Sequence, residues 1–386
     1  MNIFYLSNML QALRKLIYPS FTPLNTITVS KQAILGNIEY LSSLHKGSDI
    51  FPVIKSNAYG HGLKEICEIL NASSVHTVCM DSTYEYQVVK KYFKWNMIML
   101  WETHSENYLG MDPKRVAVSV YNISTLEALV KTKKKFKVHI FCNTGMNREG
   151  IQSEQIEEFC SIIKNSNLVF EGIVSHFSSA DDSDNSVTHN QIEKFKDMAQ
   201  EIWNMWLSPK YKYISASGGS LKVQDRFLNA IKPGLACYGY NPLLPDDADY
   251  EKGSKLVPAL DIYSTVTSIQ SISPSDGVGY NQTYSPMEPT RVASIPFGYT
   301  EGLDRRLSNN WQVKIWETYY PVRWRVSMNI VTIEIWDEDI AIWDRVQIIS
   351  SNPDDKNSIS ACADAMGTID YEVLVKLDPS VVREII

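Results

Sequence analysis

The chain has 386 residues, 44% hydrophobic and 21% charged, a globular composition with room for one large domain and a smaller one. A net charge of -7 and a pI near 5.6 exclude the basic footprint of a nucleic-acid binder and favour a protein that handles small molecules. Cys67, Cys79, Cys142, Cys160, Cys237 and Cys362 are scattered without C-x-x-C spacing, which argues against a disulfide framework and a zinc site.

Residues 1–24 place Arg14 and Lys15 after the apolar positions rather than before them, and no small-residue cleavage pattern follows. They are expected to form an extension of a cytoplasmic protein with no membrane segment. Ile3, Leu6, Leu10, Leu13 and Ile17 fall at helical spacing, so the extension is expected to pack as a short amphipathic helix.

From 25 to 255, β-branched runs alternate with helical stretches, the pattern of βα units around a parallel sheet. Eight runs begin near Ile50, Val75, Asn96, Arg115, Phe136, Leu168, Tyr213 and Ala230, with helical periodicity in segments such as Glu154 to Lys164 and Gln191 to Trp206. Eight parallel strands predict a (β/α)8 TIM-type barrel. Such barrels carry their chemistry at the carboxyl ends of the strands, and Lys55, Arg148, His176 and Ser217 each follow a strand run. The lysine-rich run from Lys131 to Lys137 reads as a solvated helix end, and Asp181 to Asp184 as a solvated loop rather than a metal site. From 256 to 386 the texture changes to alternating strands such as Asp261 to Ile269 and Val326 to Ile335, broken by Pro, Gly and Asn. A mainly β C-terminal domain is expected there.

Val53 to Gly62 reads Val-Ile-Lys-Ser-Asn-Ala-Tyr-Gly-His-Gly, an apolar strand that delivers one lysine into a glycine-rich turn. A lysine at a dry strand end can form an imine with an aldehyde cofactor, and nearby glycines let backbone approach a phosphate. The run resembles the pyridoxal-phosphate (PLP) lysine motif of the alanine racemase family. Further motifs recur in that family's order across residues 26 to 386: Asn143 to Gly150, Val174 to Phe177, Ser217 to Gly219, Ile231 to Leu235, Val278 to Tyr284 and Gly367 to Glu372.

The resemblance implies PLP as cofactor, no metal, and Lys55 and Tyr280 as the two catalytic bases. It implies cofactor contacts from Lys55, Tyr59, His176, Ser217, Lys232, Gly234, Leu235 and Tyr371. It places Arg148 and the Met328 backbone at the substrate carboxylate. It further implies a homodimer with shared active sites, in which Tyr280 acts on the cofactor of the partner chain. The expected activity is interconversion of L- and D-alanine for peptidoglycan precursor supply. Retention of Tyr371 favours alanine over serine, while a broad-specificity or serine racemase and a weakened PLP-binding homologue stay open. A barrel-plus-β decarboxylase shares the architecture but predicts a cysteine motif in the second domain that this chain lacks.

Several positions depart from the family pattern. Lys232 stands in Ile-Lys-Pro-Gly where an arginine faces the pyridine nitrogen, keeping the charge without the planar fork. Phe141 replaces a carbamylated lysine, Asn143 opens the use of an anion beside Arg148, and Asn329 replaces an aspartate. Trp101, Trp311, Trp316, Trp324 and Trp343 stand where the family commonly has glycine, several at expected turns; after Asn310, tryptophan would carry a left-handed backbone cost. One expectation is a stop codon reassigned to glycine; the other is real divergence.

Overall fold

The computed structural model describes residues 21–386. The amphipathic helix expected from Ile3 to Ile17 lies outside the described residues. The strands are β1 (Thr26–Val29), β2 (Asp49–Ile50), β3 (Thr77–Met80), β4 (Asn96–Met99), β5 (Val116–Val120), β6 (Lys137–Phe141), β7 (Val169–Ser175), β8 (Tyr211–Ile214) and β9 (Ala230–Ile231). Strands β3 to β8 pair in parallel in sequence order, and β2 pairs in parallel with β9. The ring closes through backbone bonds on either side: Cys79 N–H to the Pro52 carbonyl at 2.8 Å, and Asn229 N–H to the Lys212 carbonyl at 3.0 Å. All eight expected runs are therefore strands of one parallel barrel. The strands are densely buried, with Val78, Val118, Ile140 and Tyr213 each 0% exposed and the His139 ring bonded to the Tyr213 hydroxyl at 2.9 Å, so the barrel is a packed core rather than a pore.

The helices between strands follow from capping and periodicity. Thr83–Tyr92 begins at Ser82, whose hydroxyl accepts the Glu85 N–H, and Ile156–Lys164 buries Ile156, Phe159, Cys160 and Ile163 at helical spacing. Helix Ser186–Asn204 starts five residues before the expected Gln191.

The remaining strands are β10 (Leu260–Thr265), β11 (Ser268–Ile272), β12 (Thr290–Ile295), β13 (Gln312–Ile315), β14 (Thr318–Arg323), β15 (Val331–Ile335), β16 (Arg345–Ile349) and β17 (Val382–Ile385). They form one sheet in the order β11-β12-β15-β14-β13-β16-β10-β1-β17. Two expectations need correction here. Thr26–Val29, assigned to the 25–255 barrel, lies in this second sheet, antiparallel to β10 and parallel to β17. Residues 326–330 are loop, and the strand begins at Val331.

Between β2 and the helix Leu63–Leu70 the backbone makes a left-handed turn. Ser56, Asn57, Ala58 and Tyr59 have φ of 54°, 54°, 53° and 51°, a conformation that disfavours every residue with a Cβ. Surrounding groups hold it in place. Glu85 accepts the Ser56 N–H at 2.6 Å, Asn57 accepts the Leu63 N–H at 2.9 Å, and Arg383 of β17 donates to the Gly60 carbonyl at 3.0 Å. Gly60 has φ 80°, and a Cβ there would overlap the Leu374 carbonyl of helix Asp370–Val375. The β domain thus presses that helix against the turn that begins at Lys55.

The tryptophan positions divide. Trp316, Trp324 and Trp343 have φ of 52°, 72° and 80°, whereas Trp101 and Trp311 are not left-handed. The turn expected at Asn310 falls elsewhere: Asn309 carries the positive φ, 55°, and Trp311 is buried with an indole N–H that has no partner among the described residues.

Candidate active site

A cavity of about 500 Å³ opens at the carboxyl ends of the barrel strands. Lys55 enters from beyond β2, Arg148 from the loop after β6, His176 directly after β7 and Ser217 after β8; Lys232 and Gly234 follow β9. Tyr59 lines it from the left-handed turn, and Tyr371 reaches it from helix Asp370–Val375. Leu235 follows Gly234 in a 3-10 turn, but its side chain packs into the core instead of the cavity wall.

The Lys55 amine sits 3.9 Å from an Asp81 carboxylate oxygen, a loose pair, and 5.8 Å from the centre of the Trp101 ring. Arg148 lies over the same ring at 5.2 Å. Its Nε and Nη2 donate to the Glu149 carboxylate at 2.5 and 2.8 Å, leaving the Nη1 end of the guanidinium free to meet another anion. The Glu149 carboxylate holds the Arg148 pKa above its ordinary value.

Lys232 and His176 form the floor. Burial, helped by the Lys55 and Arg148 charges, lowers the Lys232 pKa to about 8. Burial first, then the charges of Lys232, Arg148 and Lys55, bring His176 down to about 3, so its ring is neutral at pH 7. The Lys232 amine stands 3.5 Å from His176 Nδ1, a long contact. Among the described residues no carboxylate lies within salt-bridge distance of Lys232.

The far wall is built for close approach. Ser217 Oγ accepts the N–H groups of Gly234 at 3.0 Å and Ala236 at 3.2 Å. A Cβ at Gly234 would overlap the Tyr59 hydroxyl. Burial raises Tyr371 to about 12 and pushes Tyr59 up further, so both hydroxyls remain proton donors.

Tyr280 and Met328 are not in this cavity. They border a separate cleft of about 780 Å³ on the β domain, with Arg305, Arg325 and Trp324. Tyr280 is 79% exposed, and the Trp324 indole N–H donates to its backbone carbonyl at 2.7 Å.

Residues 29–242 match the family model "Alanine racemase, N-terminal domain", and residues 259–385 match "Alanine racemase, C-terminal domain". The chain belongs to the alanine racemase family. It is 30% identical to the alanine racemase of Lactobacillus acidophilus over 366 residues, 92% of this chain and 96% of that one. It is 29% identical to that of Francisella philomiragia over 380 residues, 94% of this chain and all of that one. The alanine racemase of Clostridium difficile 630 shares the fold with a TM-score of 0.88 at 24% identity, covering 95% of this chain and 97% of that one. Membership makes the chain an isomerase, an alanine racemase in class, built as barrel plus β domain.

Set against this alanine racemase fold, two residues escaped the sequence reading. Glu149, 6% exposed at its side chain, is the anion that meets Arg148. Asn143 Oδ1 accepts the Gly145 and Asn147 N–H groups at 3.1 Å each, and its amide nitrogen donates to the Asn147 side chain at 3.0 Å. Glu85 supports the Lys55 turn from 29 positions away. Serine followed by glutamate three residues later is a local signal for a helix start at Ser82, but it does not tell that the carboxylate reaches Ser56.

Proposed function

We propose that the chain binds PLP at Lys55 and interconverts L- and D-alanine with two bases, Lys55 and Tyr280, in a homodimer whose protomers complete each other's sites. One observation carries the reading: Lys55, Arg148, His176, Ser217, Lys232 and Tyr371 converge on one cavity, while Tyr280 and Met328 stand exposed in another cleft of the same chain. A second protomer is what brings the two half-sites together.

The residues present fit the cofactor. Ser217, Tyr59, Tyr371 and the short backbone at Gly234 suit a phosphate, Lys55 offers an amine to an aldehyde, and the neutral His176 and Lys232 floor suits an aromatic nitrogen ring. PLP supplies the electron sink that makes an α-proton removable. The protein does the rest. Arg148 presents its free guanidinium edge to the substrate carboxylate, and the Met328 backbone offers an N–H to the same group. Lys55 Nζ takes or returns the proton on one face of the α-carbon and Tyr280 Oη on the other. Arg305 and Arg325 line the same cleft as Tyr280. The retained Tyr371 supports alanine over serine, and peptidoglycan precursor supply is the matching use of D-alanine.

A cytoplasmic location fits six free, buried cysteines, and no described helix is long and apolar enough to cross a membrane. Mixing Lys55→Ala and Tyr280→Phe dimers, each deficient in racemisation, tests the sharing directly. Subunit exchange is expected to restore racemisation at about a quarter of the wild-type rate per chain, since random pairing leaves one intact site in half the dimers. No recovery after verified exchange overturns the shared site.

A further inference from the structure

Four of the nine tryptophans have the left-handed backbone that favours glycine, and three of them occupy a recognisable glycine position. Helix Ser186–Asn204 closes with Leu207 N–H on the Ile202 carbonyl and Trp206 N–H on the Trp203 carbonyl, a Schellman motif with Trp206 as its left-handed residue, φ 61°. Trp316 opens the two-residue loop of the β13–β14 hairpin with φ 52°. Asp344 N–H bonds the Ala341 carbonyl at 3.2 Å, making a turn whose third residue is Trp343 at φ 80°, the type II geometry that calls for glycine. Trp324 follows β14 with φ 72°. Three of the four side chains lie on the surface, Trp206 89%, Trp316 51% and Trp343 69% exposed, so no burial of the ring offsets the backbone conformation.

We propose that the natural chain carries glycine at 206, 316, 324 and 343, from a codon that its source reads as glycine. UGA fits this: it is a stop in the standard code and tryptophan in a variant code, so a source that assigns it to glycine yields tryptophan at every such position when read by the variant code. The proposal covers the four left-handed tryptophans, including 206, which no motif singled out, and leaves out Trp101 and Trp311, whose backbone is not left-handed.

The assignment changes the second half-site, on the reading of Tyr280 proposed above. Glycine at 324 removes the indole that packs against Gly279 and bonds the Tyr280 carbonyl. The cleft beside Tyr280 and Met328 widens, and the Tyr280 loop has the freedom to meet a partner protomer.

The test is peptide mass mapping of the protein isolated from its source cells. Glycine at three or four of the positions supports the proposal; tryptophan at two or more, or UGG codons there, overturns it. A second measurement needs no source material: recombinant chain with Trp206→Gly, Trp316→Gly and Trp343→Gly is expected to melt several degrees above the tryptophan form, and a lower midpoint for the glycine form overturns the backbone argument. Neither readout involves racemisation, so failure here leaves the proposed function standing.

Discussion

Lys232 offers the sharpest quantitative check, because a buried ammonium without a carboxylate partner should weaken the empty protein. Its pKa falls from an ordinary 10.5 to about 8, chiefly through burial. At about 1.4 kcal/mol for each tenfold change, that fall amounts to about 3 kcal/mol of lost stability. The sign follows from proton counting: between pH 8 and 10.5 the unfolded chain holds more protons than the folded one, so stability rises with pH through that window. The cost is complete below about pH 8 and gone above about 10.5. Lys232→Met keeps the length of the side chain and removes the charge. The cofactor-free variant should therefore be about 2–3 kcal/mol more stable than the parent at pH 7 in urea unfolding, with the difference shrinking toward pH 10. The same variant should bind PLP more weakly, as expected when strain is kept for function. Equal stability at pH 7, or a gain that does not change with pH, refutes the reasoning.

Other positions give independent checks. Ser217→Ala leaves two buried N–H groups without their acceptor and should cost about 2 kcal/mol of stability in the cofactor-free chain, measured by urea unfolding. Burial raises Glu85 to about 7, so the folded chain holds the extra proton between pH 4.5 and 7 and loses stability as pH rises there; against Glu85→Gln, the wild type should lose relative stability from pH 5 to 7.5, and a constant difference contradicts the assignment. Tyr280→Phe should slow proton abstraction from L-alanine more than from D-alanine, read from isotope exchange in each direction; equal loss in both counts against its role. Lys232→Arg should shift the balance between racemisation and transamination, and no change in either would defeat the idea that the missing fork matters.

The barrel was legible because eight apolar runs alternate with periodic helices, a local pattern. Thr26–Val29 fell inside the expected 25–255 bounds without being read as a strand, because its partners, Tyr263 and Val382, lie more than two hundred positions away and leave no local signal. Lys55, Arg148, His176 and Ser217 were readable from strand-end position, and the cavity brings them together. The left-handed turn was not, since Ser-Asn-Ala-Tyr contains no glycine and its conformation is imposed by Glu85, Asn57 and Arg383. Glu149 was missed for a related reason: a carboxylate next to an arginine in sequence says nothing about whether the two side chains turn toward each other.

The most direct test of the central claim is incubation of the PLP-loaded protein with L-alanine in deuterated water, following the α-proton by NMR and the enantiomers by chiral separation. The account predicts deuterium at the α-carbon together with D-alanine, both lost in Lys55→Ala. Normal cofactor absorbance with neither deuterium incorporation nor D-alanine would contradict it.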